Sequence, residues 1–266
     1  MQILNVAAYK FVAIPDRETL QPILQERCDQ LALKGTILLA EEGINLTLAG
    51  TEASVHSFMT FLREDERFTN RFSDLELKVS LSGNQPFGRM IVRLPKEIIT
   101  MRHPMIRPEA GRAPAVDPQK LKAWLEQGHD DEGREVVLLD TRNSYEVGIG
   151  TFEGAIDFSI ENFSQFPDAL RNALSKSENA LKEKTIVTFC TGGIRCEKAA
   201  LFMNELNLPH VFQLHGGILN YFESVGADHW QGECFVFDER VAVDPSLRPT
   251  THDYGQQAAK TYRRQT

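Results

Sequence analysis

The chain has 266 residues, 42% of them hydrophobic and 25% charged, which fits a folded globular protein with room for two modest cores. It has no run of 18 apolar residues and no basic-then-apolar head with a small-residue cleavage site, so neither a membrane span nor a secretory signal is expected. The net charge of −8 argues against a chain-wide nucleic-acid surface. The four scattered cysteines, with no C-x-x-C pair, argue against a disulfide framework or a structural zinc site and point to the cytoplasm.

Taken in order, Ile3 to Val12 reads as a strand, followed by a helix from Asp16 to about Leu33 with Leu20, Ile23, Leu24, Cys28 and Leu31 at helical spacing. Gly35 is expected to end that helix. Two β-rich runs, 36–40 and 44–49, flank Glu41-Glu42-Gly43 and predict a hairpin. The two glutamates there, beside Asn45, read as a polar turn rather than an acid/base pair. Thr51 caps a second helix to about Arg63, and Leu75 to Leu81 supplies a further strand. The order β-α-β-β-α-β is the split βαβ, ferredoxin-like pattern.

Alternation returns from Arg89 to Ile99 and predicts one more strand leading out of a first domain, 1–99. The stretch 100–117, proline-rich and without periodicity, reads as a connection. Between Pro86 and Arg112 lie six basic residues, Arg89, Arg93, Lys96, Arg102, Arg107 and Arg112, against Glu97 and Glu109. A basic strip on an acidic protein can confine phosphate binding to one face, and the first five are the RNA-binding candidates. A solvated linker with ordinary surface charge explains the same residues equally well.

The second domain, 118–226, opens with a helix from Pro118 to Glu126 and a strand from Val136 to Asp140. Asp140-Thr141-Arg142 ends that strand, where parallel sheets place their working residues. Gly148-x-Gly150 lacks the third glycine and the following helix of a dinucleotide loop. After a helix from Gln165 to Leu174 comes the apolar strand Thr185 to Phe189, then Cys190-Thr191-Gly192-Gly193-Ile194-Arg195-Cys196 and a helix from Glu197 to Leu206. A cysteine at a strand end, before a glycine loop and a helix N-terminus, meets converging N–H groups and partial positive charge; Arg195 adds a full one. Cys190 is therefore the expected nucleophile and Arg195 its electrostatic partner. Cys196 is either a packing thiol of the helix or a resolving thiol for an oxidised Cys190. Val211 to Leu214 forms the last strand, and His215-Gly216-Gly217-Ile218 turns into a final helix to Val225. His215 is an accessory base candidate, as Asp140 and Arg142 are accessory candidates whose simpler reading is structural.

Cys190-x-x-x-x-Arg195 between a strand and a helix resembles the active-site loop of a rhodanese (sulfurtransferase) domain, in which the cysteine carries a persulfide. The string Cys-Thr-Gly-Gly-Ile-Arg-Cys-Glu-Lys-Ala at 190–199 is similar to a narrower group, the bacterial tRNA uridine(34) hydroxylases. These join an acylphosphatase-like, ferredoxin-like N-terminal domain to a rhodanese domain, and the resemblance covers about the first 80 to 95 residues and then 118–226. It implies a mixed α+β and α/β fold: a ferredoxin-like βαββαβ domain followed by a rhodanese-like parallel α/β domain. It also implies oxygen-dependent conversion of the wobble uridine to 5-hydroxyuridine in the tRNA anticodon region, with Cys190 essential and molecular oxygen as co-substrate. No metal or flavin signature accompanies it. The extension 227–266 looks like the family's post-rhodanese segment at Trp230 to Val243 and ends in a polar, basic stretch with Arg248, Lys260, Arg263 and Arg264. The loop by itself favours a persulfide-forming sulfurtransferase, whereas the 190–196 string, the ferredoxin-like N-terminal domain and the basic strip together favour the tRNA reading. A phosphatase is disfavoured, since four residues between Cys and Arg leave room for one sulfur atom rather than a phosphate.

Overall fold

The computed structural model describes residues 2–254, apart from the side chains of residues 177–180. The chain divides into two compact units. One is the first 99 residues with Phe237–Val241; the other runs from Thr100 to Val236 and takes in Ala242–Thr250. Among the described residues no helix is long and apolar enough to cross a membrane.

The first unit is built from β1 (Ile3–Phe11), α1 (Arg17–Gln30), β2 (Lys34–Ala40), β3 (Gly43–Gly50), α2 (Glu52–Glu64), β4 (Lys78–Ser82) and β5 (Met90–Arg93). Its sheet order is β4-β1-β3-β2-β5. The first four strands pair antiparallel in the ferredoxin-like arrangement, and β5 adds parallel to β2. Alternate residues of the strands, Val6, Ile37, Ile44, Leu46 and Leu48, are buried with Leu24 of α1 and Phe58 and Leu62 of α2. Thr51 caps α2, its hydroxyl accepting from Ser54 N–H at 3.1 Å.

Two local expectations change. Helix α1 stops at Gln30, and Ala32 takes the left-handed turn (φ 52°) that Gly35 was expected to supply. Gly35 lies inside β2, where a Cβ would stand 2.0 Å from the Thr47 carbonyl, so close strand approach explains it. The glutamate turn also has a structural task. Glu42 accepts from Ile98 N–H at 2.7 Å and Asn45 donates to Ile98 O at 3.2 Å, which fixes the exit of the chain.

The second unit runs β6 (Ala115–Val116), α3 (Pro118–Gln127), β7 (Val136–Asp140), α4 (Ser144–Val147), β8 (Gly150–Phe152), β9 (Ile156–Asp157), α5 (Phe166–Lys182), β10 (Thr185–Phe189), α6 (Ile194–Glu205), β11 (Val211–Leu214) and α7 (Gly217–Val225). Then follow β12 (Trp230–Gly232), β13 (Cys234–Phe235) and β14 (Ala242–Val243). Its sheet, in the order β6-β11-β10-β7-β9, is parallel throughout, with β10 at the centre. All five β10 residues are buried, as a central parallel strand requires. One side of the sheet packs Trp124, Leu138, Phe189, Leu214, Tyr221 and Trp230 around Phe152. The Phe152 ring meets Phe189, Tyr221 and Trp230 edge-on at 4.9, 4.8 and 5.1 Å. This aromatic cluster holds the C-terminal end of β10 and with it the start of the next loop.

Candidate active site

Cys190 follows β10 directly and is fully buried. The chain leaves it through Gly193, whose φ of 99° only glycine adopts without strain, and enters α6 at once. The helix thus begins at Ile194, three residues before the expected start, and Arg195 and Cys196 occupy its first turn. Gly193 N–H donates to Cys190 Sγ at 3.1 Å. Burial alone would push the thiol up. The Cys196 S–H, the Arg195 charge and the backbone N–H groups of Arg195 and Cys196 outweigh it and bring Cys190 down to about 5. The other cysteines behave oppositely: burial drives Cys28 and Cys234 up to about 12 and Cys196 well above the ordinary thiol range. Cys190 is the thiolate of this chain at neutral pH.

Arg195 is itself buried, and burial opposes its charge. Glu146 of α4 holds it: Nη1 donates to Oε2 at 2.5 Å and Nη2 to Oε1 at 2.8 Å. The Glu146 carboxylate also accepts from Asn143 N–H at 3.2 Å and Thr191 Oγ1 at 3.4 Å. No local pattern in the sequence singles out Glu146. Its burial is the signal that it belongs to the site, and sequence does not report burial. Gly217 was read as a turn residue, yet a Cβ there would stand 2.4 Å from Cys190 O and 2.7 Å from Gly193 N. The first N–H groups of α7 reach the loop from that side, Ile218 N–H donating to Cys190 O at 2.9 Å and Leu219 N–H to Thr191 O at 3.1 Å. Thr191 Oγ1 also lies 3.4 Å from Phe235 O, tying β13 of the extension to the loop. Gly192 and Ile194 are its half-buried members.

Asp140 and Arg142 are scaffold. The fully buried pair is joined at 2.6 Å, Arg142 donates to Gly150 O at 2.6 Å, and Thr151 Oγ1 donates to Asp140 at 2.8 Å, so together they shape the β7–β8 connection. His215 does not join the sulfur. Its imidazole is 43% exposed, with Nδ1 4.0 Å from Asp117.

Arg89, Arg93, Lys96, Arg102 and Arg107 are all exposed. The first three belong to the first unit and the last two to the second. Arg107 pairs with Glu109 at 2.8 Å, and Arg112 is committed to the buried Glu197. In the extension, Arg248 pairs with Asp244 at 2.8 Å, while Lys260, Arg263 and Arg264 lie outside the described residues.

Family models match both halves: the UPF0176 acylphosphatase like domain over residues 3–98 and the Rhodanese-like domain over residues 117–224. The chain is 59% identical to the tRNA uridine(34) hydroxylase of Cupriavidus metallidurans over 249 residues, 94% of this chain and 86% of that one. The Cupriavidus taiwanensis protein of the same name is 60% identical with the same coverage. That of Bordetella avium is 58% identical over 94% of this chain and its own full length. This chain belongs to the tRNA uridine(34) hydroxylase family. In that hydroxylase family's architecture, Glu146, Cys190, Arg195 and Gly217 all lie in the rhodanese-like part, with Phe235 added from the extension, and the thiolate of Cys190 is the one strongly activated group among the described residues.

Proposed function

We propose that this chain hydroxylates uridine 34 in the anticodon region of tRNA, at C5 and with molecular oxygen, and that Cys190 is the catalytic nucleophile. The observation that carries this reading is a buried cysteine held as thiolate at about 5 in a chain of the hydroxylase family. A thiolate adds readily to C6 of a uracil, an electron-poor carbon conjugated to the C4 carbonyl. Addition turns C5 into an enolate carbon, electron-rich enough to react with oxygen. Arg195 and the N–H groups around Sγ keep the sulfur anionic before attack and stabilise it as leaving group afterwards. A cytoplasmic location suits both the RNA substrate and a reduced thiol.

A rhodanese-type sulfur transfer is the second reading, supported by the same cradle, which converges on one sulfur atom. The deciding experiment is nucleoside mass spectrometry of tRNA incubated aerobically with purified protein, beside Cys190→Ala and an anaerobic control. New 5-hydroxyuridine that needs both Cys190 and oxygen supports the first reading. An unchanged tRNA together with thiosulfate-to-cyanide transfer overturns it in favour of the second.

A further inference from the structure

The sheet of the first unit has one helix-covered face and one open face. Both α1 and α2 pack on the side that carries Val6, Ile37, Leu46 and Val92. Strand side chains alternate, and residues opposite each other in a ladder share a face, so the register assigns the remaining positions to the other side. One row runs straight across four strands: Tyr9 beside Asn45, Asn45 beside Leu38, and Leu38 beside Arg93. The next row crosses all five, from Lys78 on β4 through Ala7, Thr47 and Thr36 to Ile91 on β5. Phe11 lies two residues beyond Tyr9 on the same face, and the two rings meet edge-on at 5.9 Å and 69°. Lys78 Nζ stands 5.3 Å from the centre of the Tyr9 ring.

This face remains accessible. Tyr9, Phe11, Thr36, Leu38, Thr47 and Ile91 are half-exposed, and Arg93 is exposed. The chain crosses the face at its ends, where Arg240 Nη1 donates to Ser80 Oγ at 2.6 Å and Asn45 donates to Ile98 O at 3.2 Å. The local charge opposes that of the whole molecule. On a chain of net charge −8, the strand positions of this face hold Lys34, Lys78 and Arg93 and no acidic residue. Lys78 and Arg93 stand on the two edge strands, four strand spacings or about 19 Å apart, with the rings, the threonine hydroxyls and an apolar floor between them. Single-stranded RNA fits such a surface. Each unpaired base has a π-face to lay on a ring, and the phosphate that follows it meets a cation. A duplex keeps its bases stacked on one another and offers the rings nothing.

We propose that the open sheet face of the first unit is the docking surface for the anticodon loop, with Tyr9 and Phe11 each stacking on an unpaired base while Lys78 and Arg93 hold phosphates on either side. This rests on the tRNA substrate named above.

The test is fluorescence anisotropy of a labelled anticodon stem–loop RNA titrated with the intact protein, beside a blunt RNA duplex of the same length. We expect the duplex to bind about tenfold or more weakly than the stem–loop, and Tyr9→Ala and Phe11→Leu each to weaken stem–loop binding about tenfold. Tyr9→Phe keeps the ring and should match wild type. Lys78→Gln should lower the slope of log affinity against log salt by about 1. Phe11→Leu keeps apolar bulk, so a urea midpoint close to wild type separates a lost stacking face from a lost fold. Equal affinity for stem–loop and duplex overturns the proposal and leaves the hydroxylase reading standing. So does stem–loop binding by Tyr9→Ala and Phe11→Leu equal to wild type, including the case in which Phe11→Leu dissociates a dimer and the face belongs to a second copy. A protein that holds the stem–loop through both rings yet forms no 5-hydroxyuridine removes the hydroxylase reading and leaves this surface in place.

Discussion

Glu146 and Arg195 form a buried two-point ion pair, 2.5 and 2.8 Å, between the short helix after β7 and the first turn of the helix after Cys190. Neither residue has water to fall back on, so each needs the other. Glu146→Gln keeps the shape and removes the charge, so the buried guanidinium loses the carboxylate that holds it at two points. That should cost about 3–5 kcal/mol, measured by urea denaturation. Hydroxylation should fall with it, because the charge that favours the Cys190 thiolate is no longer fixed beside the sulfur.

The Cys196 thiol, the Arg195 charge and the N–H groups of the loop together set a pH dependence. Cys190 titrates at about 5, so above that pH the sulfur is mainly anionic and below it protonated. The ultraviolet absorbance of the thiolate, taken as wild type minus Cys190→Ser, should therefore rise through pH 5 and be flat at neutrality. Arg195→Ala removes a stabilising positive charge, so the midpoint must move up, and the rate at pH 7 must drop as the thiolate fraction shrinks. A midpoint unmoved in Arg195→Ala would show that the N–H groups and the Cys196 thiol suffice without the arginine.

Strand β10 and the cysteine at its end were legible because their signal is local: a β-branched run, then glycine, then helical spacing. The ferredoxin-like order was legible for the same reason. What the sequence hid was contact across long separations. Glu146 lies 49 residues before Arg195, and Gly217 touches the loop carbonyl of Cys190 from the next crossover, with no periodicity linking either to the loop. Gly35 misled because a glycine after a helix pattern resembles a cap, while the real constraint is the Thr47 carbonyl of the neighbouring strand. Gly193 misled the other way: its positive φ starts α6 inside the loop, so Arg195 is a helix residue and its N–H helps to hold the sulfur.

Gly217 gives a sharp substitution test. Gly217→Ala places a methyl group against backbone atoms of Cys190, Thr191 and Gly193, at a φ of 69° that alanine disfavours. The left-handed conformation alone costs about 1 kcal/mol, and the clash must also displace the loop. Activity should suffer far more than stability, since the loop carbonyls held by Ile218 and Leu219 move with the sulfur. Comparing 5-hydroxyuridine yield with the denaturation midpoint separates the two. Proportionate losses in both would make Gly217 a general folding residue.

Arg93 and Lys96 are exposed on the first unit, and Arg112, in the second, donates from Nε to the buried carboxylate of Glu197 at 3.0 Å. If the strip contacts phosphates, Arg93→Glu and Lys96→Glu should weaken tRNA binding most at low salt and each lower the slope of log affinity against log salt by about 1. Arg112→Ala should leave that slope unchanged and instead destabilise the protein, because the buried Glu197 carboxylate loses the guanidinium that donates to it. Fluorescence anisotropy of labelled tRNA at several salt concentrations reads both effects. A lowered slope in Arg112→Ala with unaltered slopes in the other two would move the RNA surface from the first unit's edge toward the linker.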